Sequence, residues 1–452
     1  MKTKIFLALL TLALAAALIL RQQRQEAQEF TKWIGANTVS FSIEGFKSNR
    51  AIQAKLKEAL GNKKVVAIGE ATHGTTEFFR IKLDVFQFLV EELGFTIFGL
   101  EASYSRCRYI NEFIQTGKGD LDTAATIHGF TSWGTEEFRN VIRWMRTYNE
   151  LHPERKISFI GFDIQLNDIG AQALSDYIGR VDPMIKVQVD TLLKRVLRSE
   201  ETRGIFSGDT TIRTLIIPMK DLISGIADKK SIYIRSSSHS EFNEVLKLAN
   251  TLQQYVLAYS YDAWRDGSIV QTRDYFMAEN ILSCLAASPG NKLFIWAHNG
   301  HVANDYVNGI SYPSMGSYVK SVLKEEYYAV GFDFYNGNFR ADDPDLKNSP
   351  GWEKQDIEDA PSGNLANYFV MAGETNGLID FTQTVKNKIV EKWLHDKYVG
   401  MYSIGSQFSK KWSQDRYISH VRLYNSFDAV IFIKESHATT PLPMTIKRRA
   451  LR

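Results

Sequence analysis

The stretch VVAIGEATHG, Val65–Gly74, decides how the fold is read. Its first half is apolar without alternation, the habit of a strand covered on both faces. Its second half puts Glu70 and His73 just past that strand. Four more segments share the character: Thr96–Glu101 (TIFGLE), Ile157–Asp163 (ISFIGFD), Leu293–His298 (LFIWAH) and Tyr327–Asp333 (YYAVGFD). Each closes on an ionisable group, namely Glu101, Asp163, His298 and Asp333, and His301 follows His298. Asp428–Ile433 (DAVIFI) reads as a sixth strand with its acid at the start.

Helical periodicity fills the gaps. Phe78, Ile81, Val85, Leu89 and Leu93 recur at helical spacing, a second helix begins near Ser105, and a third runs from Thr135 to about Glu150. Strand–helix alternation predicts an α/β fold: a mostly parallel sheet covered by helices. Residues 166–289 differ. Ile185, Val189, Leu192, Val196 and then Phe242, Val245, Leu252, Val256 keep a helical period, with only a weak strand signal in SIYI at 231–234. They read as a mainly helical insertion, so that residues 29–165 and 290–452 form the two parts of the α/β core. Residues 1–28 stand apart. Ile5–Leu20 is apolar except for Thr11 and is flanked by MKTK and by Arg21 and Arg24, which predicts a signal peptide or membrane anchor and an exported or tethered protein. The tail IKRRALR is basic and reads as solvated.

The bulk numbers exclude several classes. The chain has 452 residues with 44% hydrophobic residues, enough for a large core. A net charge of +3 from well-mixed charges gives no footing for nucleic acid. Cys107 and Cys284 are the only cysteines, so neither a disulfide scaffold nor a multi-cysteine metal site exists. Cys107 reads as a quiet buried thiol.

In parallel sheets ligands bind at the carboxyl edge of the strands. Glu70, His73, Glu101, His298 and His301 are therefore expected to meet on one rim. Taken singly, Asp163 and Asp333 read as structural acids, and Glu70 as a helix cap. Together, a buried carboxylate needs a partner to offset its desolvation, and a histidine supplies one. The segment WAHNGHV, Trp296–Val302, carries two histidines whose spacing also suits a Glu/His/His zinc or iron site. No GxSxG nucleophile elbow, phosphate loop or dinucleotide fingerprint is present. The chemistry left is general-base activation of water by a histidine held by carboxylates. Phe130 reads as packing and Trp133 as an apolar wall for a ligand.

GEATHG at 69–74, the following TTEFFRIKLDVFQFLVEELGFTIFGLEAS, and WAHNGHV resemble the erythromycin esterase family, with weaker support from GFD at 161–163, RDYFMAEN at 273–280 and DAVIFI. The likeness covers most of the chain from about residue 30. It implies a cofactor-free, metal-independent hydrolase that opens a macrolide lactone without a serine nucleophile, and so a place in antibiotic resistance. It also implies that His73 is the general base, that Glu70 and Glu101 are the carboxylates around it, and that His298 and His301 hold the water or polarise the carbonyl. Lys82 stands where some macrolide-hydrolysing members carry an arginine, with Arg80 nearby, and is expected at the substrate. A lysine keeps the charge but loses the bidentate fork. Two rivals stand beside this reading: a metal-dependent hydrolase on the same fold, and a non-enzymatic envelope protein binding a small molecule in the same cleft.

Overall fold

The computed structural model describes residues 2–201, 210–260, 272–305, 313–345 and 351–443. The basic tail, 446–452, lies outside them.

In chain order the strands are β1 (Val39–Ser40), β2 (Val65–Ile68), β3 (Ile97–Ser103), β4 (Ser158–Asp163), β5 (Leu293–Trp296), β6 (Tyr327–Ala341), β7 (Glu353–Ile357), β8 (Asn376–Asp380), β9 (Val399–Tyr402), β10 (Ile418–Val421) and β11 (Ala429–Ser436). The main sheet runs β1-β8-β11-β6-β2-β5-β3-β4, with β7 paired to β6 beyond its centre, while β9 and β10 form a separate hairpin pair. From β11 to β4 every neighbouring pair is parallel. The antiparallel pairs lie at one side, β11 with β8 and β8 with β1, and in the β6–β7 extension. The fully buried runs in β2 and β5 explain why neither shows alternation: both faces meet helices.

Helices close the two faces. Thr76–Leu93, Tyr104–Thr116 and Glu136–Leu151 follow the first strands as the sequence spacing predicts. The weak strand signal at 231–234 is overturned: it lies in the helix Lys230–Arg235, where Tyr233 is buried among the helices of the second hydrophobic cluster. The helices between Asp168 and Ser260 pack around a hydrophobic cluster of their own, from Ala171 to Val256. The main core draws on both flanking parts of the chain.

The N-terminal segment is one continuous helix, Lys2–Asn37. Phe30 and Ile34 are buried, and Phe30 stacks on Trp393 with ring centroids 3.7 Å apart. Leu9, Leu12, Leu14 and Leu18 are exposed. Among the described residues no helix is long and apolar enough to cross a membrane.

Candidate functional site

The strand order explains the site. In the run β2-β5-β3-β4, the carboxyl ends bring Glu70, His298, Glu101 and Asp163 side by side along one rim. The expectation that a strand closes on Asp333 is corrected: β6 continues to Ala341, and Asp333 lies within it, paired with Phe432 of β11. Adjacent strands lie ~4.8 Å apart, which sets neighbouring strand ends within side-chain reach of one another. The register is level: Ile68 and Leu100 both pair with Trp296.

Glu70 is completely buried. One oxygen, Oε1, lies 2.5 Å from His73 Nδ1. The other accepts from Lys82 Nζ at 2.6 Å and Trp296 Nε1 at 2.7 Å. Burial alone would raise the Glu70 carboxyl, but Lys82 and His73 outweigh it and hold it below the usual carboxylate range. Lys82 is completely buried, and burial lowers its ammonium to about 8 against the pull of Glu70. The expectation that Lys82 touches substrate therefore needs correction: its Nζ stands behind Glu70, 4.3 Å from the centroid of the Trp296 ring.

The hydrogen-bond network assigns opposite tautomers to two rings. His73 Nδ1–H donates to Glu70, which leaves Nε2 as an acceptor. His298 Nδ1 accepts from the Gly300 N–H at 3.2 Å, which puts the proton on Nε2. That Nε2 is buried with no partner among the described residues. Burial, with His73 and His301 nearby, lowers His298 to about 3, so the ring is neutral at pH 7. The His73 and His298 centroids are 5.4 Å apart.

Behind His298 lies a second charged group of residues. Glu101 Oε2 accepts from the His298 backbone N–H at 2.9 Å. Its Oε1 meets Arg273 Nη2 at 2.8 Å and His301 Nε2 at 3.2 Å. Arg273 makes a two-pronged contact with Asp163, at 2.9 and 2.7 Å. His301 Nδ1 lies 2.8 Å from Asp274 Oδ1. Arg273 Nη1, 3.0 Å from His301 Nε2, would suit a neutral ring. Two flanking carboxylates decide otherwise: burial lowers His301, yet Asp274 and Glu101 prevail and raise it to about 10. His301 is thus an imidazolium that fixes Glu101, and Glu101 in turn fixes His298. Burial would raise Glu101, but His301 and Arg273 hold it well below the usual range.

Trp133 is buried at the end of a short 3₁₀ turn, edge-on to His73 with centroids 5.5 Å apart. Its Nε1 also lacks a partner among the described residues. The segment after β11 ties the two loops together. Thr76 N donates to His437 O, Thr439 N to Gly74 O, Glu136 N to Thr440 O and Leu442 N to Gly134 O. Gly74 is required by close approach: a Cβ there would stand 2.3 Å from Arg340 O.

The five expected rim residues, Glu70, His73, Glu101, His298 and His301, therefore converge. Asp163 turns out to hold Arg273 in the same network. Asp333 keeps its structural place: it accepts from the backbone N–H groups of Phe334, Tyr402 and Ala366, and burial raises it to about 7. Phe130 packs against the core. Cys107 is buried and its thiol is pushed up by burial and by Asp163. Sequence reasoning missed Arg273, Asp274 and the Trp296 indole. The first two sit at the start of the helix Arg273–Ala287, where a charged pair directly after the capping Thr272 was the available signal. Trp296 gave none, because a tryptophan in an apolar strand reads as packing. Among the described residues no group of three or more His, Cys, Asp or Glu is arranged to hold a metal ion.

The family model for erythromycin esterase matches residues 90–436. The chain belongs to the erythromycin esterase family. Erythromycin esterase type II of Escherichia coli is 23% identical over 379 residues, covering 78% of this chain and 88% of that protein. A Bacillus cereus protein of known structure superposes with a TM-score of 0.76 at 21% identity, over 92% of this chain and 99% of that one. A mutant of the erythromycin esterase EreC in its open conformation superposes with a TM-score of 0.68 at 17% identity, over 91% and 99% of the two chains. These superpositions establish the shared fold. Family membership makes the chain a member of an ester-hydrolase family. The matched span starts after Lys82 and stops at Ser436, so Glu70, His73 and the strap at 437–442 complete the site from outside it.

Proposed function

We propose that the protein hydrolyses a carboxylic ester, a macrolide lactone or a related one, by general-base activation of water. The observation that carries this is the opposed pair of rings, with His73 Nε2 a proton acceptor and His298 Nε2–H a proton donor on rings 5.4 Å apart. Water gives a proton to His73 Nε2 as its oxygen bonds to the ester carbon. The carbonyl electron pair moves to oxygen, and the oxyanion accepts from His298 Nε2–H. Collapse re-forms the C=O bond and breaks the bond to the alkoxide, which takes the proton back from His73. Glu70 holds the His73 ring in its working tautomer and balances the imidazolium that forms. An unpartnered buried N–H costs ~1–3 kcal/mol, a cost the oxyanion relieves in the transition state. Trp133 supplies an apolar wall beside His73. The exposed leucines of the first helix support a proposal of export or anchoring.

The test is incubation of the purified chain with a panel of macrolides and simpler esters, followed by mass spectrometry for the gain of one water. General-base assistance is worth roughly 10²–10⁴ in rate, so His73→Ala should lose that factor with its circular dichroism unchanged. Parental turnover by His73→Ala would refute the assignment. Binding of a ligand without water gain would favour the non-enzymatic rival.

A further inference from the structure

The segment after β9 lies directly over the two catalytic imidazoles. Ile404 N and Gly405 N both donate to Ala71 O, at 2.7 and 3.1 Å, and Gly405 O accepts from His73 N at 3.1 Å. A parallel bridge joins Thr72 to Gly405. These bonds fix Gly405 to the loop that carries His73. Its φ is +66°, in the left-handed region.

What a side chain at 405 would face is unusual for this chain. A Cβ there would stand 3.9 Å from His73 Nε2 and 3.9 Å from His298 Nε2, with no atom nearer outside its two chain neighbours. Those are ordinary contact distances, so packing alone would admit a methyl group. The backbone angle asks only for a residue that tolerates the left-handed region, and asparagine does so more readily than other side chains. The positive φ already favours glycine, and the atoms that a side chain would meet add a second, chemical constraint. The two atoms that its Cβ would face are the acceptor and the donor of the reaction.

We propose that Gly405 determines nucleophile size: by presenting no side chain to the two Nε2 atoms, it reserves the space beside them for water and for the tetrahedral centre that water forms. The inference rests on the general-base reading above and assigns a residue that this reading leaves out. A methyl group there would crowd the nucleophile, and a longer side chain would lie across the gap between the rings.

Gly405→Ala and Gly405→Asn, in the full chain, separate this from a purely conformational role. The left-handed angle predicts that Gly405→Asn unfolds at a higher temperature than Gly405→Ala. The proposal predicts the opposite order in turnover: kcat falls by up to about a hundredfold in Gly405→Ala and further in Gly405→Asn, with KM little changed, the order of loss that a misplacement of the reacting atoms by about 1 Å can cause. If kcat instead follows thermal stability, or if both variants turn over at the parental rate, the proposal is wrong. A second arm needs no ester. Diethyl pyrocarbonate labels neutral imidazole nitrogen, and peptide mass spectrometry reads His73 against exposed His420 as an internal reference. Gly405→Asn should slow labelling of His73 severalfold relative to His420, and an unchanged ratio overturns the proposal. Should the parental chain cleave no ester at all, the hydrolase reading fails while the labelling ratio still decides the role of Gly405.

Discussion

Replacing His301 by glutamine should change how stability depends on pH. The ring lies between Asp274 and Glu101, at 2.8 and 3.2 Å, and its pKa rises from 6.5 to about 10. A raised folded-state value means that folding favours the protonated form. The stabilisation is therefore fully present below pH 6.5, the unfolded value, and is lost as pH climbs through about 10. A tenfold change in proton affinity corresponds to roughly 1.4 kcal/mol, so a rise from 6.5 to about 10 sets a ceiling on the order of 5 kcal/mol. His301→Gln leaves Glu101 with Arg273 and the His298 N–H, leaves Asp274 with the Met315 N–H, and removes the titration. Urea unfolding of both proteins at pH 6, 8 and 10, followed by tryptophan fluorescence, gives the difference curve. The parental advantage should be largest at pH 6 and should shrink toward pH 10. A constant difference across that window would mean that His301 is not an imidazolium held by its two carboxylates. The same result would remove its role in fixing Glu101 against His298. Direct titration of the imidazole by nitrogen-edited NMR provides an independent check.

Lys82→Met should destabilise by ~3–5 kcal/mol, the cost of breaking a buried pair, and should lower turnover because Glu70 loses the cation opposite His73; a neutral effect on unfolding would show that the pair is not formed. Lys82→Arg should also destabilise, by ~1–3 kcal/mol, since the fully enclosed site has no room for a guanidinium. Trp133→Phe removes an unpartnered N–H but also empties part of a packed site, so melting temperature should fall modestly, less than in Trp133→Ala; equal falls in the two variants would show that the ring's packing does not hold the loop. Dialysis against a chelator should leave ester turnover unchanged, because His73 Nδ1 and both His301 nitrogens are committed to side chains; a loss restored by added zinc would establish the metal-dependent rival.

How much was legible follows from which forces act locally. Unalternating apolar runs reveal strands buried on both faces, since that pattern reflects the environment of each residue in turn. The placement of Glu70, Glu101 and His298 at strand ends was legible for the same reason, and the carboxyl-edge rule then put them on one rim. The run of helices between Asp168 and Ser260 was foreshadowed by a change of period near residue 166. The weak strand signal in SIYI misled because β-branched and aromatic residues serve a helix with one buried position, here Tyr233, as well as a strand, and only neighbouring helices decided the case.

The sequence by itself determined the class of sheet, the residues at its rim and the family. It did so because hydrophobic period and chain order are written residue by residue. Tertiary structure alone decided the partners. Strand order set β5 between β2 and β3 and so brought His298 between Glu70 and Glu101. Burial turned Lys82 from an expected substrate contact into the counter-ion of Glu70, and the flanking carboxylates made His301 a cation while His298 stayed neutral. Charge state depends on desolvation and on distances between groups remote in the chain, and neither quantity exists until the chain has folded.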